Sequence, residues 1–249
     1  MRVLWMVLLL AAVSACGGSQ EGKEPATGAA PPASAPIDPA TAANVTGKIM
    51  LDGTAPAPQP IKTASDPNCT QALSTETILA GSGGTLQNVF VYVKDGLGNR
   101  VFAAPATPVV LDQHNCQYRP HVFGMQVGQP LEILNSDATL HNIHAHPEAN
   151  QEFNRGQAIQ GMRDRAVFST MEIMVPFKCD VHNWMNAYVG VVNHPFFSVS
   201  GADGTFQLTG LPPGTYTVEA VHEKLGRQTQ TVTVGEKETK DVAFTFKVV

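Results

Sequence analysis

The segment Phe177-Lys178-Cys179-Asp180-Val181-His182-Asn183-Trp184-Met185 puts a thiol, an imidazole and a thioether on one short stretch. His141, about forty residues upstream, follows Asn135-Ser136-Asp137 and precedes Asn142. Two imidazoles and a thiolate in one plane, with a long weak thioether on the axis, are the donors of a blue-copper centre. Thiolate and thioether are soft and favour Cu(I), whereas imidazole accommodates both oxidation states. Such a set suits one-electron transfer when a rigid frame holds one compromise geometry. Taken singly, each residue has a plainer reading. Cys179 reads as a core thiol, Met185 as packing and His182 as a surface imidazole. The Cys-x-x-His-x-x-Met spacing, together with a histidine placed after a strand, raises the set above those readings. Zinc also takes Cys and His, but structural zinc rarely takes Met. A binuclear copper centre needs two bridging thiolates, and this loop carries one.

The elements that must position these ligands read as strands. Val45 to Leu51 alternates before Asp52-Gly53, and Val89 to Lys94 runs apolar before Asp95-Gly96. Val109 to Leu111 is a further short strand, and Leu131 to Asn135 alternates before Ser136-Asp137. Met171, Ile173, Val175, Phe177 and Cys179 fall on one face of a strand at period two, and Tyr188 to Val192 forms the next. Cys69 to Leu79 is compatible with a short helix, whereas no other window shows a helical stripe. Glu148 to Val167 is polar without a clear period and reads as a long loop, compatible with a cover over the metal site. Short strands between frequent turns predict an antiparallel β-sandwich. The 22 Gly and 18 Pro agree with many turns.

From about residue 195 onward the pattern changes. Asp203-Gly204 joins Phe197-Ser198-Val199 to Thr205-Phe206-Gln207-Leu208, and Leu211-Pro212-Pro213-Gly214 leads into Tyr216, Val218 and Ala220. Val232 and Val234, then Val242, Phe244 and Phe246, alternate in the last strands. The Asp-Gly-x-Phe turn followed by Leu-Pro-Pro-Gly-x-Tyr resembles the carboxypeptidase regulatory-like (transthyretin-like) module. That resemblance implies a structural or adhesive unit over roughly residues 195–249, with no peptidase chemistry.

The ligand pattern resembles the cupredoxins, and the short ligand loop is closest to that of amicyanin. The resemblance covers about residues 85–195. It implies one mononuclear blue-copper ion held by His141 and His182 as imidazole ligands, Cys179 as thiolate and Met185 on the axis. It also implies that Asn142 supports the Cys179 sulfur from its backbone. His144 and His146 follow closely, but on a strand His144 points away from His141. His144 is therefore a lesser candidate ligand, and His146 lesser still. His121, His194 and His222 read as hydrogen-bonded structural or surface residues. Trp184 reads as packing over the loop, or as part of an apolar docking patch around His182.

The expected organisation is a signal peptide over 1–16, a disordered linker over 17–44, a cupredoxin-like copper domain over 45–195 (core 85–195) and a regulatory-like β module over 196–249. The strand at 45–51 also resembles the first strand of such a module, which would make the copper region an insertion. The expected fold class is all-β: a cupredoxin-like Greek-key sandwich beside a smaller transthyretin/Ig-like sandwich. Arg2 precedes an apolar run from Val3 to Val13, the layout of an export signal. Val13-Ser14-Ala15-Cys16 resembles a bacterial lipobox, which implies an acylated Cys16 and anchoring in the cell envelope, on the periplasmic side or the outer membrane. An ordinary signal peptide is the alternative. The 17–44 stretch is rich in Ala, Pro, Gly and Ser, and as a flexible coil it would span about 30 Å.

Cys16 leaves three cysteines. Cys69 and Cys116 sit in turn-like polar surroundings, and a Cys69–Cys116 disulfide would leave Cys179 free to ligate. Two unpaired buried thiols are the alternative. The net charge of −5 offers no phosphate-seeking surface, so nucleic acid is not an expected partner. The expected function is a membrane-tethered carrier of single electrons between redox partner proteins. The alternatives are a copper-delivery protein, recruiting His144 and Met162, and a structural surface module with a stabilising metal. An enzyme is not expected, because no second metal cluster of comparable quality, no Ser–His–Asp pattern and no phosphate loop stands out in the sequence.

Overall fold

The computed structural model describes residues 36–248. The expected signal, the lipidation residue Cys16 and most of the 17–44 linker lie outside the described residues. Sixteen strands and no helix occur among the described residues. The first are β1 (Ala43–Asp52) and β2 (Phe90–Asp95). Then come β3 (Val109–His114), β4 (Gln117–Arg119), β5 (Val122–Gln126), β6 (Pro130–Asn135), β7 (His141–Ala145) and β8 (Phe153–Gln157). They are followed by β9 (Arg163–Val167), β10 (Glu172–Lys178) and β11 (Asn186–Val192). The set ends with β12 (Phe197–Val199), β13 (Thr205–Leu211), β14 (Gly214–His222), β15 (Gly226–Val234) and β16 (Thr239–Lys247).

Alternation decides which face each strand buries. In β6, Leu131, Ile133 and Asn135 are buried while Pro130, Glu132 and Leu134 are half-buried. β13 likewise buries Phe206 and Leu208 between exposed neighbours. Such strands pair into four sheets. Sheets β4-β3-β6-β9 and β5-β11-β10-β7-β8 enclose one core, including Leu111, Ile133, Ile143, Phe177 and Val189. Sheets β13-β1-β16 and β12-β2-β14-β15 enclose a second, including Ile49, Val91, Val218 and Phe244. The all-β expectation therefore holds. The pairing is not purely antiparallel, because β1–β16, β3–β6 and β5–β11 run parallel.

The first sandwich runs from β3 to β11 and is inserted between β2 and β12 of the second. Within the 45–195 span, β1 pairs with β13 and β16, and β2 pairs with β12 and β14. Both strands thus belong to the C-terminal module rather than to the 85–195 core. The run Phe90-Val91-Tyr92-Val93 is buried throughout because both faces of β2 are covered. Val91 and Val93 face the module core, while Phe90 and Tyr92 join Val122, Val192 and Val221 in a third core between the two sandwiches. Gly124 and Gly190 are register partners on β5 and β11. A Cβ at Gly190 would sit 2.3 Å from the Phe90 ring, and one at Gly124 would sit 2.4 Å from the Phe197 ring and 2.7 Å from the Phe90 ring, so the two glycines seat both rings.

Three local expectations change. Residues 69–79 hold bends and irregular chain rather than a helix, and Ser74 forms a bridge with Pro60. The polar stretch 148–167 is not a structureless loop but contains β8 and β9, outer strands of two different sheets, and β8 pairs with β7 beside His141. Edge strands face solvent widely, which is why their sequence lacks an apolar period. Finally, the alternation in β10 is broken by a register shift between Glu172 and Val175, where Met174 has a φ of 63°. Val175, Phe177 and Cys179 keep the core face, whereas Met171 and Ile173 pack at the junction core.

Candidate metal centre

Two strand ends and one loop deliver the ligands. β7 begins at His141, which is fully buried. β10 ends at Lys178, and the chain then turns through Cys179 to Met185 before β11. The turn is closed by the Cys179 N–H donating to the Met185 carbonyl (3.2 Å) and the Met185 N–H donating to the His182 carbonyl (2.9 Å). The His182 N–H points back at Cys179 Sγ at 3.3 Å. Cys179, His182 and Met185 are each 2% exposed.

His141, Cys179 and His182 offer ligand atoms that all lie within 4.8 Å of one another. The two Nδ1 atoms face each other at 2.9 Å, and His182 Nδ1 lies 3.9 Å from Cys179 Sγ. Each imidazole is fixed from behind. His141 Nε2–H donates to Asp137 (2.9 Å), and His182 Nε2–H donates to Asp66 (3.0 Å). A carboxylate on the outer nitrogen sets the tautomer and turns the Nδ1 lone pair inward. Two inward lone pairs repel unless a proton or a metal ion lies between them.

The electrostatics agree with this reading. Burial works to lower the pKa of His141, but Asp137 and Cys179 outweigh it and hold the imidazole up at about 9. Burial pushes His182 below its ordinary value, and Asp66 only partly offsets this. His141 is thus the charged partner, donating its Nδ1 proton to neutral His182. Burial works to raise the Cys179 thiol, yet His141 and the amides of Asn142, His182 and Val181 bring it below its usual value. Asp66 is held at about 2, first by the Thr139 hydroxyl (2.6 Å).

Asn142 braces the loop with its side chain as well as its backbone. Its Oδ1 accepts the N–H groups of Asp180 (2.7 Å) and Val181 (3.4 Å) and lies 3.3 Å from Cys179 Sγ. Its Nδ2 donates to Asp180 (3.0 Å) and Asn154 (2.7 Å). The Asn142 carbonyl accepts the Tyr118 hydroxyl. Trp184 tilts over His182 with ring centroids 5.0 Å apart and donates Nε1–H to the Cys116 carbonyl (3.0 Å).

Cys69 and Cys116 are joined by a disulfide, so neither offers a thiolate, and Cys179 is the free cysteine among the described residues. His144 stands apart from the buried group and is paired with Asp180 and Glu152. It leaves the face of β7 opposite to His141 and falls outside the group formed by His141, Cys179 and His182. His121 and His194 are hydrogen-bonded structural residues, as their sequence context suggests. No local pattern marks Asp66 as a partner of His182, since that contact depends on the disulfide-bearing segment folding over the loop. Asp137 was visible four residues before His141, but only as a turn residue.

Comparison with known proteins adds the following. Residues 185–247 match the model of the carboxypeptidase regulatory-like domain. The matched span opens in the metal-site sandwich with β11 and continues through β12–β16, while β1 and β2 of the same module lie outside it. No curated protein matches the sequence. Among solved structures, a copper-containing nitrite reductase from Thermus scotoductus SA-01 is 19% identical, with a TM-score of 0.34, covering 39% of this chain and 25% of that one. The chain thus spans a quarter of that reductase chain's length. A purple cupredoxin from Nitrosopumilus maritimus is 22% identical, with a TM-score of 0.29, covering 34% of this chain and 98% of that one. An amicyanin variant in its Cu(I) form is 18% identical, with a TM-score of 0.30, covering 41% and 97%. The described residues are all-β, residues 185–247 match the carboxypeptidase regulatory-like domain, and cupredoxins are among the structural neighbours.

Proposed function

We propose that this chain is a blue-copper protein of the cell envelope, tethered by lipid at Cys16, that passes single electrons between partner proteins. The observation that carries the reading is the convergence of His141 Nδ1, His182 Nδ1 and Cys179 Sγ in a buried cluster whose outer nitrogens are held by carboxylates. His141, His182 and Cys179 would hold one copper ion, with Met185 on the loop as the weak axial donor. Bound copper supplies a one-electron couple. The residues around it hold the imidazoles in one orientation, enclose the sulfur and bring the Cys179 thiol below its usual pKa, which eases its deprotonation as the ion binds. A carrier fits this geometry better than a delivery protein, because all four side chains are enclosed and exchange would require the loop to open. Leu140 and Val181 are exposed apolar side chains beside the ligands in the chain, and they suit brief docking of a redox partner.

Copper added to the purified full chain should give intense visible absorption in the oxidised form and a paramagnetic spectrum with narrow copper hyperfine splitting. Cys179→Ser should abolish both while leaving the fold intact by circular dichroism. A colourless copper-loaded protein, or colour surviving in Cys179→Ser, would refute the assignment.

A further inference from the structure

A second cluster lies on the outer side of β7. His144 is in the strand and His146 is one residue past its end, so both leave on the same face. His144 pairs with Asn154 and Ala145 with Phe153. Continuing that register sets His146 opposite Glu152. The two imidazole rings stack with centroids 3.9 Å apart. One donor atom each from His144, His146 and Glu152 falls within 4.8 Å of the others. His144 Nε2 meets Glu152 at 2.7 Å, and His144 Nδ1 meets Asp180 at 3.1 Å. Serving two carboxylates at once requires a proton on each ring nitrogen, and Glu152 first, then Asp180, raises the His144 pKa. His146 Nε2 is buried with no hydrogen-bond partner among the described residues. Two stacked imidazoles, one with an unsatisfied buried nitrogen, beside an exposed carboxylate are a set of groups that a metal cation would satisfy.

We infer that His144, His146 and Glu152 form a second metal site, open to solvent, that takes a late first-row divalent ion such as Zn2+ or Cu2+. Two imidazoles and a carboxylate suit such ions, whereas Mg2+ and Ca2+ prefer oxygen donors throughout. The ion replaces the proton on His144 Nε2, which leaves to solvent. The Nδ1–H bond to Asp180 remains and orients the ring from behind. Three protein ligands leave a coordination position to water. The Glu152 side chain is 62% exposed, so the ion has a direct way in. The site shares no ligand with the Cys179 centre and does not depend on copper being bound there.

The test uses Zn2+ alone, titrated calorimetrically into the full chain carrying Cys179→Ser. The same titration is made with His146→Ala or Glu152→Gln added. The expected result is one zinc equivalent lost with His146→Ala and one equivalent weakened at least about tenfold with Glu152→Gln. Imidazole nitrogen resonances should show His144 and His146 shifting as that equivalent binds. Equal stoichiometry and affinity in all three proteins, or shifts confined to His141 and His182, would overturn the site. Glu152→Gln lies at an exposed position and keeps the test valid should His146→Ala fold poorly. With Cys179 intact, the visible absorption on adding copper should be the same in Glu152→Gln as in the parent chain. Failure of the second site is thereby distinguished from failure of the blue-copper reading.

Discussion

Asn142 touches three parts of the ligand loop at once: the sulfur of Cys179 and the amides of Asp180 and Val181. Its side chain is buried against the loop. Asn142→Leu removes the acceptor and leaves two loop N–H groups unpaired, at about 1–3 kcal/mol each if they stay buried. The loop should loosen more than the sandwich does. Copper affinity is therefore expected to fall roughly 10–100-fold, the range for loss of a supporting contact. Competition with a copper chelator measures this, and an unchanged affinity would show that the backbone alone sets the loop. The same scale explains why His144 cannot substitute for a lost ligand. It leaves the opposite face of β7 and is already engaged by Asp180 and Glu152.

At the scale of elements, the segment before β2 matters because it ends the exposure of His182. Asp66 reaches the outer nitrogen of His182, and the nearby Cys69–Cys116 disulfide ties that segment to the β3–β4 turn. The bridge spans a sequence separation of 47. Chain entropy then gives it about 4 kcal/mol of stabilisation, a value that depends on that account of disulfides. Replacing Cys69 and Cys116 together by serine should lower the unfolding free energy by up to about that amount. Amide exchange in residues 61–76 should accelerate, and the His182 ring should become accessible to a soluble imidazole-modifying reagent. Protection equal to the parent's would mean that the Asp66 contact holds the segment without the bridge.

At the scale of the whole described molecule, the junction between the sandwiches is a packed core rather than a hinge. The Phe90 ring fills the space left by Gly190, and the Phe197 and Phe90 rings together fill that left by Gly124. Gly190→Ala places a methyl group 2.3 Å from that ring, so either strand or ring must move. A loss of about 1–3 kcal/mol is expected from overpacking, read as a lower denaturant midpoint, with the visible absorption of the copper-loaded protein retained. His194 lies where the chain crosses from β11 to β12. It donates Nε2–H to the Val93 carbonyl (2.8 Å), and its Nδ1 accepts the Phe196 N–H (3.2 Å). Burial holds its pKa at about 4, against 6.5 unfolded. Between those values the unfolded chain binds a proton that the folded chain refuses, so stability falls as pH falls. His194 contributes fully above pH 6.5, and the loss reaches about 3 kcal/mol near pH 4. His222, also lowered by burial, acts in the same sense. Unfolding free energies measured across this window should slope upward with pH, and His194→Gln should flatten the slope.

The sequence by itself determined the strands whose two faces differ, because period-two alternation is a local consequence of burying one face. It also determined the three residues of the Cys-x-x-His-x-x-Met loop, since their spacing is set within a single turn. It showed Val89 to Lys94 as a strand but not its sandwich, because a strand buried on both faces does not say which core each face meets. It could not separate β8 and β9 from a loop, because edge strands lack the pattern. Asp66 and Asp137 behind the two imidazoles, and Glu152 opposite His146, were decided by tertiary structure alone. Each pairing joins groups that only the closing of a sheet, a turn or a disulfide brings within hydrogen-bonding distance.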